Sequence, residues 1–159
     1  MTVFNEASTV QGWLVERLTN LGWVHVPGQG LPRDTTDAVC EPWLTDALLR
    51  LNPAIAEKPE RVDEVLPVIR AVILSAASDG LLAANERLTT ILRGEQPFKF
   101  VGEDQYVTVR LIDFDDPANN EFVVSGPLPD SANPVADEVT YGPPGAKQRR
   151  FDVVLWVNG

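Results

Sequence analysis

Asp152 stands at the head of the last apolar run of the chain, Val153-Val154-Leu155-Trp156-Val157. A run that is apolar on both faces predicts a central strand. A carboxylate at such a position must be paired, protonated or metal-bound, because burying it alone is costly. Arg149 and Arg150 supply one answer, a strand-end ion pair, and a bound cation supplies the other. Asp113 poses a milder form of the same question. It follows Leu111-Ile112 in a buried-looking strand, where it can bind a metal or cap the next turn; the turn role is the expected one.

The remaining chemistry is sparse. Asp34, Asp37, Asp46, Asp63 and Asp79 are scattered over loops and helix surfaces and read as solvated charges. Asp115-Asp116 before Pro117 fits turn chemistry. There is no GxxxxGK[ST] loop and no HExxH helix. One cysteine, Cys40, and one histidine, His25, make a Cys–His nucleophile conceivable without supporting it. His25 lies in a short predicted strand without partners for a metal site, so a structural or exposed role is expected. A single cysteine also leaves no internal disulfide framework and suits a reducing cytoplasm.

These candidates are positioned by elements whose character changes along the chain. Ser8-Thr9-Val10-Gln11 is a capping-box pattern. Val10, Trp13, Leu14, Leu18 and Leu21 then follow helical spacing up to Gly22, which predicts an amphipathic helix over about 9–21. Residues 23–26 predict a short strand, and 28–40 a loop. A second helix is expected over 42–51, with Trp43, Leu44, Ala47, Leu48 and Leu51 on one face and an Asn-Pro stop. A third is expected over about 59–77, kinked or broken near Pro67. A fourth, over about 81–93, should bury Leu82, Leu88, Ile91 and Leu92 and end at Gly94.

Beyond Gly94 the pattern turns to β. Strands are expected over 98–101, 105–114 and 121–125, the middle one alternating Val107, Val109 and Leu111 with polar residues. Residues 126–148 read as a long surface loop rich in Pro and Gly, with an extended piece at 139–141. A final strand over 151–157 runs into Asn158-Gly159, the pair that favours a type I′ hairpin turn. The sum is one α/β (α+β) domain over 1–159, with a helical insertion over about 42–93 and a β-rich part over about 97–159.

The totals agree with a folded soluble domain. With 159 residues, 44% hydrophobic and 23% charged, the chain has the size and composition for one core and falls outside the disordered and membrane classes. The longest mostly apolar stretch, 62–77, is broken by Asp63, Glu64, Pro67 and Arg70 and cannot span a bilayer. MTVFNEAST lacks the basic and apolar regions of a secretory signal. A net charge of −10 argues against a free-standing nucleic-acid binder, which shows a basic face. It is compatible with a module whose DNA affinity comes from neighbours, or with an acidic DNA mimic.

RRFDVVLWVNG resembles a motif of the N-terminal nuclease region of the type I restriction enzyme R (motor) subunit, where Arg-Pro-Asp opens an apolar strand ending in Asn-Gly. VQGWLVERLTNLGW resembles its opening helix, ANERLTTILRG a helix carrying Asn-Glu, and VRLIDFDDPANNEFVV a stretch with Ile-Asp-Phe and a Pro-x-Asn-Asn turn. The resemblance implies a PD-(D/E)xK restriction-endonuclease-like mixed sheet flanked by helices, with carboxylates holding Mg²⁺. It makes Asp152 the metal-binding, catalytic Asp. The strand after Asn-Gly would carry Glu-x-Lys, which the chain does not reach, so the fold is expected to be incomplete at its C-terminus and the chain inactive alone. Phe151 replaces the Pro of the motif, and Gln11 stands where an acidic residue is expected, leaving Glu16 or Glu6 as the nearest carboxylates. The implied parent cleaves double-stranded DNA after ATP-driven translocation, with ATP bound elsewhere, beside methyltransferase and specificity subunits in the cytoplasm. The alternatives are a non-catalytic acidic mimic that inhibits restriction, and an adaptor that kept the nuclease fold without its chemistry.

Overall fold

The structure, a computed structural model, describes residues 10–159; Glu6 and the Ser8-Thr9 half of the predicted capping box lie outside the described residues. In chain order the first elements are α1 (Gly12–Asn20), β1 (Val24–His25), α2 (Glu41–Leu51), α3 (Pro53–Glu57), α4 (Val62–Leu74), α5 (Ala76–Asp79) and α6 (Leu81–Leu92). They are followed by β2 (Pro97–Phe98), β3 (Val107–Thr108), β4 (Phe122–Ser125), α7 (Pro134–Asp137), β5 (Val139–Tyr141), β6 (Arg149–Phe151) and β7 (Val154–Val157). The class is α+β with small sheets. Among the described residues no helix is long and apolar enough to cross a membrane.

The chain divides into two compact units. One holds the described residues up to Cys40 with Glu121–Val157 and Gly159; the other holds Glu41–Asn120 and Asn158. In the first unit β1, β4 and β7 form a three-stranded sheet in the order β1-β4-β7, β1 parallel and β7 antiparallel to β4. A separate antiparallel hairpin joins β5 to β6. Val15, Val123, Val124, Val139 and Trp156 are buried there.

Two expectations fail in this unit. The predicted strand over 151–157 is two strands in two sheets: Phe151 pairs with Val139, whereas Val154 pairs with Ser125. Among the described residues β7 pairs with β4 alone, and Leu155 is 52% exposed. The apolar stripe of α1 is misassigned too. Val10, Trp13, Leu14 and Leu21 are exposed, and the helix buries Gly12 and Val15 instead. Gly12 explains the reversal: a Cβ there would lie 2.8 Å from the Pro129 nitrogen, so the helix approaches through its smallest residue.

The second unit is mainly helical. α2 buries Leu44, Ala47 and Leu48, and α4 buries Val62, Val65 and Ile69. The Asn-Pro stop after α2 is followed at once by α3, with Pro53 in its first turn. α4 runs through Pro67 to Leu74, so the helix is not broken at the proline and the interruption falls at Ser75. Pro67 and Asp63 are both exposed, and water can satisfy the carbonyl that Pro67 leaves without a donor. α6 buries Ala84 and Ile91, whereas Leu82, expected inside, is 76% exposed. Arg61 is buried with its guanidinium 4.6 Å from the Phe100 ring centroid, donating to the Ala54 carbonyl at 2.8 Å and pairing with Glu103.

Candidate functional site

Asp152 lies in the bend between β6 and β7, where the chain leaves the β5–β6 ladder and enters the β4 ladder. It is exposed rather than buried, so its carboxylate needs no ion-pair partner, and none is found among the described residues. Arg150, one of the two expected partners, pairs instead with Glu138 at 3.5 Å. The backbone around Asp152 is closely held. Gly126, directly after β4, has φ +155°, and a Cβ on it would come within 2.8 Å of the Asp152 carbonyl oxygen. Only a residue without a side chain lets the two segments approach this closely.

His25 belongs to the same end of the sheet. β1 and β4 run parallel and both finish there, and the His25 Nε2 lies 2.8 Å from the Gly126 carbonyl oxygen in a hydrogen bond. The lone histidine therefore fixes the strand end against which the Asp152 backbone rests. Ser125, fully buried, accepts a hydrogen bond from the Trp156 indole at 3.1 Å across the β4–β7 pair. Arg33, which the sequence did not single out, lies 5.5 Å from the Trp156 ring centroid and donates to the Thr140 carbonyl at 2.6 Å and to the Asp37 carbonyl. Arg33, Asp37, Tyr141, Phe151, Leu155 and Trp156 line a recess of about 400 Å³ in this unit.

The Cys–His alternative finds no support. Cys40 is fully buried, and its thiol is pushed up to about 11 by that burial, partly offset by Arg33. Such a thiol stays protonated at neutral pH and is a poor nucleophile. On α1 Glu16 is exposed, and just before the helix the Gln11 Oε1 is buried without a hydrogen-bond partner among the described residues.

Asp113 adopts the turn role. One carboxylate oxygen accepts from the backbone of Asp115 at 3.0 Å and of Asp116 at 3.1 Å, and the other accepts from Asn119 Nδ2 at 2.9 Å. The Asn119 bond leads the causes that hold its carboxyl below the usual range; Asp116, Asp115 and Arg110 add to it against the opposing effect of burial. Asn120 completes the turn, accepting from the Asp113 N–H and donating to the Asp113 carbonyl, each at 2.8 Å. Asn158 is buried at φ 60°, donates to the Leu111 carbonyl at 2.9 Å and to Asn120 Oδ1 at 2.8 Å, and accepts from Arg50 at 3.0 Å. The Asp-Asp-Pro-Ala-Asn-Asn turn and Asn158 thus share one polar network that includes the buried Asp113 and Asn158. That Asn158 supports buried backbone in addition to adopting a turn conformation had no sequence signal.

The implied magnesium can be tested against this geometry. Mg²⁺ takes hard oxygen donors in near-octahedral order. Asp152 offers one accessible carboxylate, but no group of three His, Cys, Asp or Glu residues able to hold a metal exists among the described residues. The described residues of this chain therefore do not close a metal site by themselves.

The type I restriction enzyme R protein N-terminus family matches residues 3–159. A Methanocaldococcus jannaschii protein described as a type I restriction enzyme MjaIXP endonuclease subunit is 26% identical over 162 residues, which is 98% of this chain. The chain spans 14% of the length of that relative. No solved structure gives a significant match. With its match running from residue 3 to residue 159, the chain belongs to the family of type I restriction enzyme R protein N-termini.

Proposed function

We propose that this chain is the nuclease region of a type I restriction enzyme R subunit, built on a PD-(D/E)xK core, with Asp152 as its catalytic, metal-binding carboxylate. The observation that supports the reading best is the placement of Asp152. It is accessible, in a bend beside the end at which β1 and β4 both finish, and its backbone is packed against Gly126. In open sheets, ligand sites collect beyond the carboxyl ends of parallel strands, where side chains converge without disturbing the ladder. Membership in a family of R proteins supplies the substrate class for such a site.

In this reading the whole enzyme cleaves double-stranded DNA with Mg²⁺ after ATP-driven translocation, with ATP bound outside these residues. It works in the cytoplasm with methyltransferase and specificity subunits. Asp152 would be one of the oxygen donors holding the divalent ion, which when bound would supply polarisation of a phosphoryl oxygen and a more acidic water. The His25–Gly126 hydrogen bond fixes the strand end beside it. The test is Asp152→Ala in the complete R subunit, assembled with its partners. DNA cleavage should be abolished while ATP hydrolysis persists; retained cleavage overturns the assignment.

The net charge of −10 favours one other reading, an acidic mimic or adaptor acting on a restriction complex. Inhibition of an intact complex by the purified chain in trans would favour that reading.

A further inference from the structure

Lys147-Gln148-Arg149-Arg150 concentrates three cations in four residues of a chain whose net charge is −10. The β5–β6 register divides them. Val139 faces Phe151, Thr140 faces Arg150 and Tyr141 faces Arg149. Successive side chains alternate faces, so Arg149 and Phe151 share one face with Val139 and Tyr141, the face that lines the recess. Arg150 lies on the other face and is neutralised by Glu138 at 3.5 Å. Lys147 and Arg149 are exposed and have no ion-pair partner among the described residues.

The segment carrying them is held in place. Gly142 donates to the Thr35 carbonyl at 2.9 Å, and Gln148 donates to the Thr35 hydroxyl at 2.9 Å. A Cβ on Gly142 would lie 2.8 Å from the Gln148 Cα, so the two ends of the hairpin connection touch. The two cations therefore stand on an ordered base, which reduces the ordering cost of engaging a ligand.

We infer that Lys147 and Arg149 grip the phosphodiester backbone of DNA and lead it to Asp152. The inference rests on the nuclease reading of Asp152. Arg149 precedes Asp152 by three residues, at most roughly 10 Å of chain at about 3.3 Å per residue. The bend at Asp152 shortens that path and breaks the alternation of faces. That is a short distance on duplex DNA, whose axial rise is about 3.4 Å per nucleotide. A strand held at Arg149 thus brings a phosphate a few nucleotides away to the carboxylate. The acidity of the chain does not forbid the contact. At physiological salt the Debye length is about 8 Å, so local charge outweighs the sum of distant exposed carboxylates.

The test uses the complete polypeptide carrying Lys147→Gln and Arg149→Gln, titrated with a fluorescein-labelled duplex of arbitrary sequence over a range of salt concentrations. Each lost phosphate contact removes about 0.9 from the slope of log affinity against log salt, so the slope should shrink by about two while binding weakens uniformly across sequences. The charge-keeping pair Lys147→Arg and Arg149→Lys should restore both. Unchanged affinity and slope in the Gln pair overturns the inference, as does a loss that the charge-keeping pair fails to restore. Asp152→Ala separates this outcome from the nuclease reading. If that variant still cleaves while the Gln pair loses its slope, the nuclease reading fails and the backbone grip stands. If it abolishes cleavage while the Gln pair binds as before, the grip fails and the nuclease reading stands.

Discussion

β4 and residues 109–113 are both predicted strands with buried members, yet their backbones are satisfied in opposite ways. β4 has a strand on each side, and its N–H and C=O groups enter ladders with β1 and β7. Residues 109–113 lie beyond the two-residue β2–β3 ladder and are held by asparagine side chains. Asn52 donates to the Arg110 carbonyl at 2.9 Å and accepts from the Arg110 N–H at 2.7 Å, as a neighbouring strand would. Asn158 takes the Leu111 carbonyl, and Asn120 takes both backbone groups of Asp113. A backbone ladder tolerates any side chain that fits the volume. A side-chain ladder depends on particular residues, because an amide that both donates and accepts can replace a peptide group and an apolar residue cannot.

This contrast predicts where truncation is most harmful. Asn52→Ala should cost about 3 kcal/mol, since it removes three hydrogen bonds from a buried site, the third being to the Leu48 carbonyl. Urea unfolding should show a lower midpoint at unchanged m; a loss below about 1 kcal/mol would mean that water or a neighbour replaces the amide as well. Val124→Ala in the middle of β4 should cost about 2 kcal/mol, the price of lost volume alone. Its amide exchange should still reflect an intact ladder, and local unprotection there would erase the contrast.

A double-mutant cycle on Asn120→Ala and Asn158→Ala should return a coupling of about 1 kcal/mol. Additive effects would show that the two amides act independently. The pH dependence of stability tests the Asp113 turn. Its carboxyl titrates below the usual range in the folded chain, so its contribution is complete above the ordinary Asp value of about 3.9. That contribution is lost as pH falls through the depressed folded value. Asp113→Asn should flatten this acid limb, and an unchanged limb would assign it to other carboxylates. The smallest effect is expected at Asp152→Asn, within about 0.5 kcal/mol in thermal or urea unfolding, because the side chain is exposed and without an ion pair among the described residues.

The candidate site was legible in the sequence to the extent that local pattern carries it. Asp152 stands at the head of an apolar run, but the burial expected there does not hold, because the residue lies exposed in the bend before β7. Asp113 was legible as a turn residue because its backbone partners, Asp115 and Asp116, are two and three positions away. Asn52 announced only a helix stop before Pro53, and Asn158 only a hairpin turn. Their partners lie 58 residues away at Arg110 and 47 away at Leu111, beyond any local window. The faces of α1 and α6 were misread for a related reason. Periodicity identifies an apolar stripe, but burial depends on what packs against the helix, and at α1 a glycine made the contact.

By itself the sequence determined what is short-range: helices α2, α4 and α6, the caps at Gly22 and Gly94, the turn at Asp113–Asn120, and the ordered motifs that place the chain in its family. Each depends on residues within a few positions of one another. The tertiary structure alone decided that the stretch expected as one strand over 151–157 splits between two sheets. It also decided that Asn158 is a buried support for distant backbone and that Asp152 remains accessible. The physical reason is that backbone polar groups must all be satisfied once buried. Which partner satisfies each one is settled only when segments far apart in the chain are brought together.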